Sequence, residues 1–337
     1  MKNRKIICFF LFLSIIFSLG SCKEEVKPQS YTYFDFFDTV ITVSDYSGLS
    51  KNDFNALLDI VKEEVSEYHE LYDIYNEYHG KNNIATINKL AGKNYVKVDS
   101  KIIDLLSYSI ELYNMTDGKI NIAMGSVLSM WHKYREEKIS TPPYLDLISA
   151  AMHTDISSIE INKDTNTVKI KSEKCQIDVG AIAKGYAEER IAEKLISLGY
   201  TGIVLDFGGN LRAIGTKLDG GGWTTGIKNP NNPYGNEYSH TLTIANEALA
   251  TSGVYERYYT VDGKNYHHII DPATLFPSER YLSLSVKSKR ADLSDALSTA
   301  FFNMTIDDIQ NIINENRTVT VYAIDKNGVL SIIEPQK

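Results

Sequence analysis

Cysteine is nearly absent from the chain, 3 in 337 residues, which excludes a disulfide-built scaffold. Proline is scarce at 8, which excludes an architecture of stiff Pro-rich linkers. Positive charge is outnumbered: 35 Lys plus Arg against 43 Asp plus Glu give a formal charge of −8. A nucleic-acid-binding protein needs a basic face to neutralise phosphates, so that partner class is excluded. No internal repeat is present. The apolar stretch Ile6–Leu19 falls short of the ~20 residues that span a bilayer. What is there is an ordinary globular composition, 43% hydrophobic and 23% charged, in a chain long enough for a substantial core.

The first segment reads as an export signal. Lys2, Arg4 and Lys5 precede the apolar stretch, and Leu19-Gly20-Ser21-Cys22 has the small-residue pattern of a lipobox, in which the cysteine becomes the lipid-bearing N-terminus. The expected divisions are a signal peptide over residues 1–21 and a lipidated tether over 22–31. The folded body is then exported, held by lipid on Cys22 on the outer side of the cytoplasmic membrane or in the periplasm. With Cys8 removed and Cys22 acylated, Cys175 has no partner and reads as a packed small hydrophobe.

Beyond residue 31 the pattern predicts a strand over Thr32–Val43 and a helix opened by Ser50 and Asp53, with Phe54, Leu57, Leu58, Val61 and Val65 at helical spacing. It predicts a second helix capped by Ser100, a hairpin over 159–170 and a strand ending at Ile177–Gly180. A helix over 181–198 stops at Gly199. Strands follow to Ala250, then a helix from Leu293 to Phe302 and a hairpin around Asn327-Gly328. Strand runs mixed with helices, without a regular βαβ rhythm, favour an α+β fold.

Four segments could carry chemistry. In Asp178-Val-Gly-Ala-Ile-Ala-Lys-Gly185 an acid and a glycine turn lead into a helix that opens with small residues and Lys184. That suits an anion at a helix N-terminus, or simply an acid near the positive end of the helix dipole. Phe207-Gly-Gly-Asn210 suits a bulge or a close ligand approach. His267-His268-Ile-Ile-Asp271 offers His268 as a proton acceptor or as a structural histidine. Asp295 and Thr299 stand four apart on one helix face. Their oxygens suit part of a Mg²⁺ shell, or Thr299 bonds back to the Asp295 carbonyl.

Together these segments resemble the ApbE family of FAD:protein FMN transferases, with motifs in the family order from about Phe34 to Phe302. The resemblance rests most on Asp178-Val-Gly-Ala-Ile-Ala-Lys-Gly-Tyr186, Phe207-Gly-Gly-Asn210, Thr251-Ser-Gly-Val-Tyr-Glu-Arg257, His268-Ile-Ile-Asp-Pro272 and Asp295-Ala-Leu-Ser-Thr299. It implies a single α+β, ApbE-like (T-fold-related) catalytic domain over 32–337, with mixed sheets and flanking helices. It implies Mg²⁺ on the Ala181 carbonyl and the side chains of Asp295 and Thr299. FAD would be held by Phe37, Tyr75, Lys119, Ile120, Asn121, Asp178, Lys184 and Ile269. His268 would act as base, with Asp271 able to orient it. The implied reaction moves FMN from FAD to a Thr or Ser hydroxyl of envelope proteins with an FMN-binding domain, such as Nqr/Rnf-type redox subunits. Alternatives are Mg²⁺-dependent hydrolysis of FAD and non-catalytic flavin binding. The chain departs from the pattern at Phe37-Asp38 for Met-Gly, Asn121 for Asp, Leu275 for Gly, and Ser298 for a residue that can be acidic.

Overall fold

The structure, a computed structural model, describes residues 28–336. The expected signal peptide and Cys22 lie outside the described residues. No described helix is long and apolar enough to cross a membrane.

In chain order the elements are β1 (Gln29–Phe36), β2 (Thr39–Asp45), α1 (Lys51–Tyr72), α2 (Ile84–Lys89), β3 (Val96–Lys97), α3 (Ser100–Met115), α4 (Gly125–Glu137) and α5 (Tyr144–Ala151). The hairpin β4 (Ile159–Asn162) and β5 (Thr167–Ile170) comes next, then α6 (Ala183–Ser197), β6 (Ile203–Phe207), β7 (Asn210–Ile214), β8 (Trp223–Lys228), β9 (Tyr238–Ile244) and β10 (Ala248–Gly253). The chain closes with β11 (Tyr258–Val261), β12 (Lys264–His267), β13 (Tyr281–Ser288), α7 (Ala291–Phe302), α8 (Ile306–Glu315), β14 (Thr320–Asp325) and β15 (Leu330–Ile333).

The frame is an eight-stranded sheet in the order β1-β2-β6-β7-β10-β13-β14-β15, every neighbouring pair antiparallel. β3-β5-β4 and the ribbons β8-β9 and β11-β12 form three smaller sheets, also antiparallel. The class is α+β. Alternation drives the central strands, as where Ile41 and Val43 on β2 are buried between exposed or half-buried neighbours. Helix α6 packs on β6 and β7, α7 packs on β10 and β13, and α1 packs against α6 and β1. A continuous apolar core runs from Tyr33 to Ile333 through these layers. α7 is buried along nearly its whole length, Ala291 through Phe302, so its few polar side chains need partners inside the protein.

The capping expected at Ser50 is present: its hydroxyl accepts the Asp53 N–H at 3.2 Å. Four local expectations change. The stretch read as one strand, Thr32–Val43, is a hairpin whose turn residues Phe37 and Asp38 both have positive φ, 54° and 49°. That is the twist-matched geometry of a two-residue turn, here without the glycine that announces it. β1 begins at Gln29, inside the segment read as tether. α3 is capped one residue earlier than expected, by Asp99 accepting from Lys101 N at 2.8 Å. Ile177–Gly180 is not a strand, because its ladder is limited to one parallel bridge between Gln176 and Met124 and an Asp178 N–H bond to Ile122 O at 2.8 Å. Cys175 is fully buried, and burial pushes its thiol up to about 11, which makes it inert.

Candidate active site

A cavity of about 540 Å³ opens between the ends of these layers. It collects loops far apart in sequence: the β1–β2 turn, the loop after α1, the segment before α4, the start of α6, the ends of β6 and β10, the segment after β12, and one face of α7. Of the residues expected at the site, Phe37, Tyr75, Lys119, Ile120, Asn121, Asp178, Ala181, Lys184, His268, Ile269, Asp295 and Thr299 all line it. Asp271 does not.

Asp295 is a firmly anchored carboxylate. It is buried, its Oδ2 accepts the Gly185 N–H at 2.8 Å, and its Oδ1 lies 3.5 Å from Lys184 Nζ. The helices meet so closely there that a Cβ on Gly185 would sit 2.3 Å from Asp295 Cβ. Thr299 does not bond back to the Asp295 carbonyl. Ser298 takes that acceptor at 2.8 Å, and the Thr299 hydroxyl lies 3.4 Å from Ser252 Oγ. Ser298, at a position expected to be able to carry an acid, is thus spent on holding the helix, and Thr299 is left facing the cavity. Among the described residues no cluster of three His, Cys, Asp or Glu side chains could hold a metal. One carboxylate and one hydroxyl on adjacent turns, in a cavity large enough for phosphates, still fit Mg²⁺, which takes few protein oxygens and shares substrate phosphates.

Asp178 is half-buried, and its Oδ1 accepts the Gly180 N–H at 2.8 Å. Burial pushes its carboxyl up, against the Gly180 N–H and the nearby His132 and Arg135 side chains. The Tyr75 ring lies over His132, centroids 5.2 Å apart at 30°. The Phe37 N–H donates to His69 Nδ1 at 3.2 Å. Asn121 has both polar ends committed, Nδ2 to Thr154 O at 2.9 Å and Oδ1 to Ala123 N at 2.9 Å. An aspartate there could not make the first bond, which gives this departure a structural reason.

Two histidines part company. His267 is spent on structure: its Nε2 donates to Ser278 O at 2.8 Å and its Nδ1 accepts the Ile269 N–H at 3.2 Å. His268 Nδ1 is 3.3 Å from Arg257 O; a carbonyl only accepts, so Nδ1 carries the proton and Nε2 keeps its lone pair. Burial, with Arg257 and His267 beside it, pushes the His268 pKa down to about 3. The expectation that Asp271 orients His268 fails. Asp271 is buried and its Oδ1 pairs with Lys119 Nζ at 3.0 Å and accepts the Ala273 N–H at 3.0 Å. It positions Lys119 and its own turn.

Sequence reasoning gave no role to His132 and Arg135, which line the cavity from α4. Their only signal was a histidine and an arginine three apart, directly after Trp131. The Leu275 departure is now visible as backbone: φ is 64°, the left-handed region that a glycine enters freely. Leu275 O also accepts the Trp131 Nε1–H at 2.8 Å.

Similarity to known proteins matches this geometry. The chain is 26% identical over 329 residues to the FAD:protein FMN transferase of Haemophilus influenzae, covering 95% of this chain and 93% of that one. It is 26% identical over 310 residues to that of Treponema pallidum, covering 87% and 83%. The crystal structure of the ApbE protein from Thermotoga maritima superposes with a TM-score of 0.80 at 25% identity, over 91% of this chain and 97% of that one. The Vibrio cholerae flavin transferase ApbE shares the fold at a TM-score of 0.75 and 20% identity, over 92% and 98%. A sequence model of the ApbE family matches residues 37–323, and the chain belongs to that family.

Proposed function

We propose that the protein is a Mg²⁺-dependent FAD:protein FMN transferase. The observation that carries this is the convergence of Asp295, Thr299, Lys184, Asp178 and His268 on one cavity that can hold a diphosphate, a metal and an aromatic ring system.

Asp295, Thr299 and the Ala181 carbonyl would hold Mg²⁺, which neutralises charge on a diphosphate as a P–O bond breaks. Lys184 adds a cation at the same end. Tyr75, Phe37, Ile120 and Ile269 offer apolar and aromatic surface to the rings of FAD, and Asp178 offers acceptor oxygens. A hydroxyl of the acceptor protein is a weak nucleophile and needs a base. His268 Nε2 takes its proton while the oxygen attacks the phosphorus on the FMN side. The diphosphate bond breaks, AMP leaves, and FMN stays joined as a phosphoester. The low pKa of His268 keeps Nε2 unprotonated at neutral pH, and the negative diphosphate beside it raises its proton affinity when FAD binds.

We assign the same protein an exported, lipid-anchored setting through Cys22, and acceptors among envelope redox subunits of the Nqr/Rnf type with an FMN-binding domain. The test is intact mass of such an acceptor domain after incubation with the protein, FAD and Mg²⁺. A gain of one FMN, lost on Asp295→Asn and on metal removal, supports transfer. AMP and free FMN without acceptor modification would replace it by FAD hydrolysis.

A further inference from the structure

Arg135 projects from the last turn of α4, four residues after Trp131, and lines the cavity together with Arg257. Its Nη2 donates to His132 Nδ1 at 2.6 Å, so that nitrogen carries the lone pair and Nε2 the proton. His132 Nε2 lies 3.2 Å from Glu136 Oε1. A glutamate–histidine relay along one helix face therefore aims the guanidinium while leaving its charge unneutralised. Among the described residues the Arg257 guanidinium is likewise tied only to a carbonyl, Asp38 O at 3.2 Å. Among the described residues neither guanidinium has a carboxylate within salt-bridge distance. The two lie close enough that Arg257, after burial, depresses the pKa of Arg135. The ring of His132, its hydrogen-bond partner, lies 5.2 Å from that of Tyr75, and the Arg257 carbonyl accepts from His268 Nδ1 at 3.3 Å, so the pair is tied to both the ring-binding wall and the candidate base.

Two neighbouring like charges that, among the described residues, have no salt-bridged carboxylate are unfavourable in the empty protein. They become favourable when an anion bridges them, and a guanidinium fork matches phosphate oxygens. We propose that Arg135, aimed by His132 and assisted by Arg257, is a phosphate-binding residue that takes an oxyanion of the FAD diphosphate beside His268. This rests on reading FAD as the substrate. It assigns phosphate recognition to a second cationic end of the cavity, distinct from the Lys184 and Asp295 end.

The test compares equilibrium binding of FAD, FMN and riboflavin to the wild-type protein and to Arg135→Gln and Arg135→Lys. Loss of one charge-assisted contact weakens FAD binding roughly 10- to 100-fold, flattens its salt dependence, and leaves riboflavin, which has no phosphate, unchanged. Arg135→Lys should fall between, keeping charge without the fork. Equal weakening of FAD and riboflavin would overturn the proposal in favour of a packing role. Unchanged FAD binding with a raised KM for the acceptor protein would overturn it in favour of an acceptor contact. Wild-type protein that binds riboflavin but gains nothing from the diphosphate would remove the FAD reading itself. Matching thermal midpoints show that the variants are folded.

Discussion

The Asp295 carboxylate, reaching from α7, caps the third residue of α6 by accepting the Gly185 N–H at 2.8 Å. The first turn of a helix has N–H groups without intrahelical partners, and the α6 cap residue, Ile182, offers no side-chain acceptor. Asp295 therefore has two tasks: one oxygen holds the helix that carries Lys184, and the other faces the cavity.

The two tasks separate by substitution. Asp295→Asn keeps an acceptor for Gly185 and loses the charge; Asp295→Ala loses both. Both should abolish Mg²⁺-dependent FMN release. Only the alanine should cost stability, by about 1–2 kcal/mol as for a lost N-cap, read from urea denaturation. Equal stability of the two variants would show that the cap is not formed.

His268 gives a pH prediction. Its folded pKa of about 3 lies below the ~6.5 of an exposed histidine, so the unfolded chain binds the proton first. Its contribution to stability is complete above pH 6.5 and is lost as pH falls towards 3. The imidazole Hε1 resonance should stay flat in NMR from pH 8 to 5. His268→Ala should keep FAD binding while losing transfer; a titration near 6.5 would contradict the assignment.

Glu188 predicts the opposite slope. It is fully buried on α6, and among the described residues neither oxygen has a partner. Burial, then Asp206 and Asp295, push its pKa well above the carboxylate range. The folded protein holds this proton more tightly than the unfolded chain, so stability is lost as pH rises above ~4.3. Glu188→Met should stabilise the protein at pH 7 by about 1–2 kcal/mol, with the gap closing towards pH 4. A destabilised variant at pH 7 would mean that the carboxyl has a partner.

Leu275 sets two effects against each other. Gly at a φ of 64° would relieve about 1–2 kcal/mol of backbone strain. It would also remove a buried leucine packed with Trp131 and Tyr259, a loss of about 3–5 kcal/mol. Leu275→Gly should therefore destabilise by about 2 kcal/mol net, measured by urea denaturation. A gain in stability would show that strain outweighs packing.

The sequence determined the parts whose signals are local. Amphipathic spacing from Phe54 to Val65, the Ser50 cap, the Asn327-Gly328 turn and the motif segments each depend on neighbours within a few residues. Local signals also misled: with no glycine in the turn, Phe37-Asp38 read as strand, and Ile177–Gly180 read as strand although it is flanked by a single bridge, from Gln176 to Met124, and adds one Asp178 N–H bond to Ile122 O. What only the tertiary structure decided is which polar atoms meet. Asp271 belongs to Lys119, 152 residues away, and not to the histidine three positions before it. Ser298 took the carbonyl expected for Thr299, and Arg135 joined a site built from other elements. Spacing along a chain fixes which face a side chain occupies, whereas packing between α6, α7 and the sheet fixes the atom opposite it.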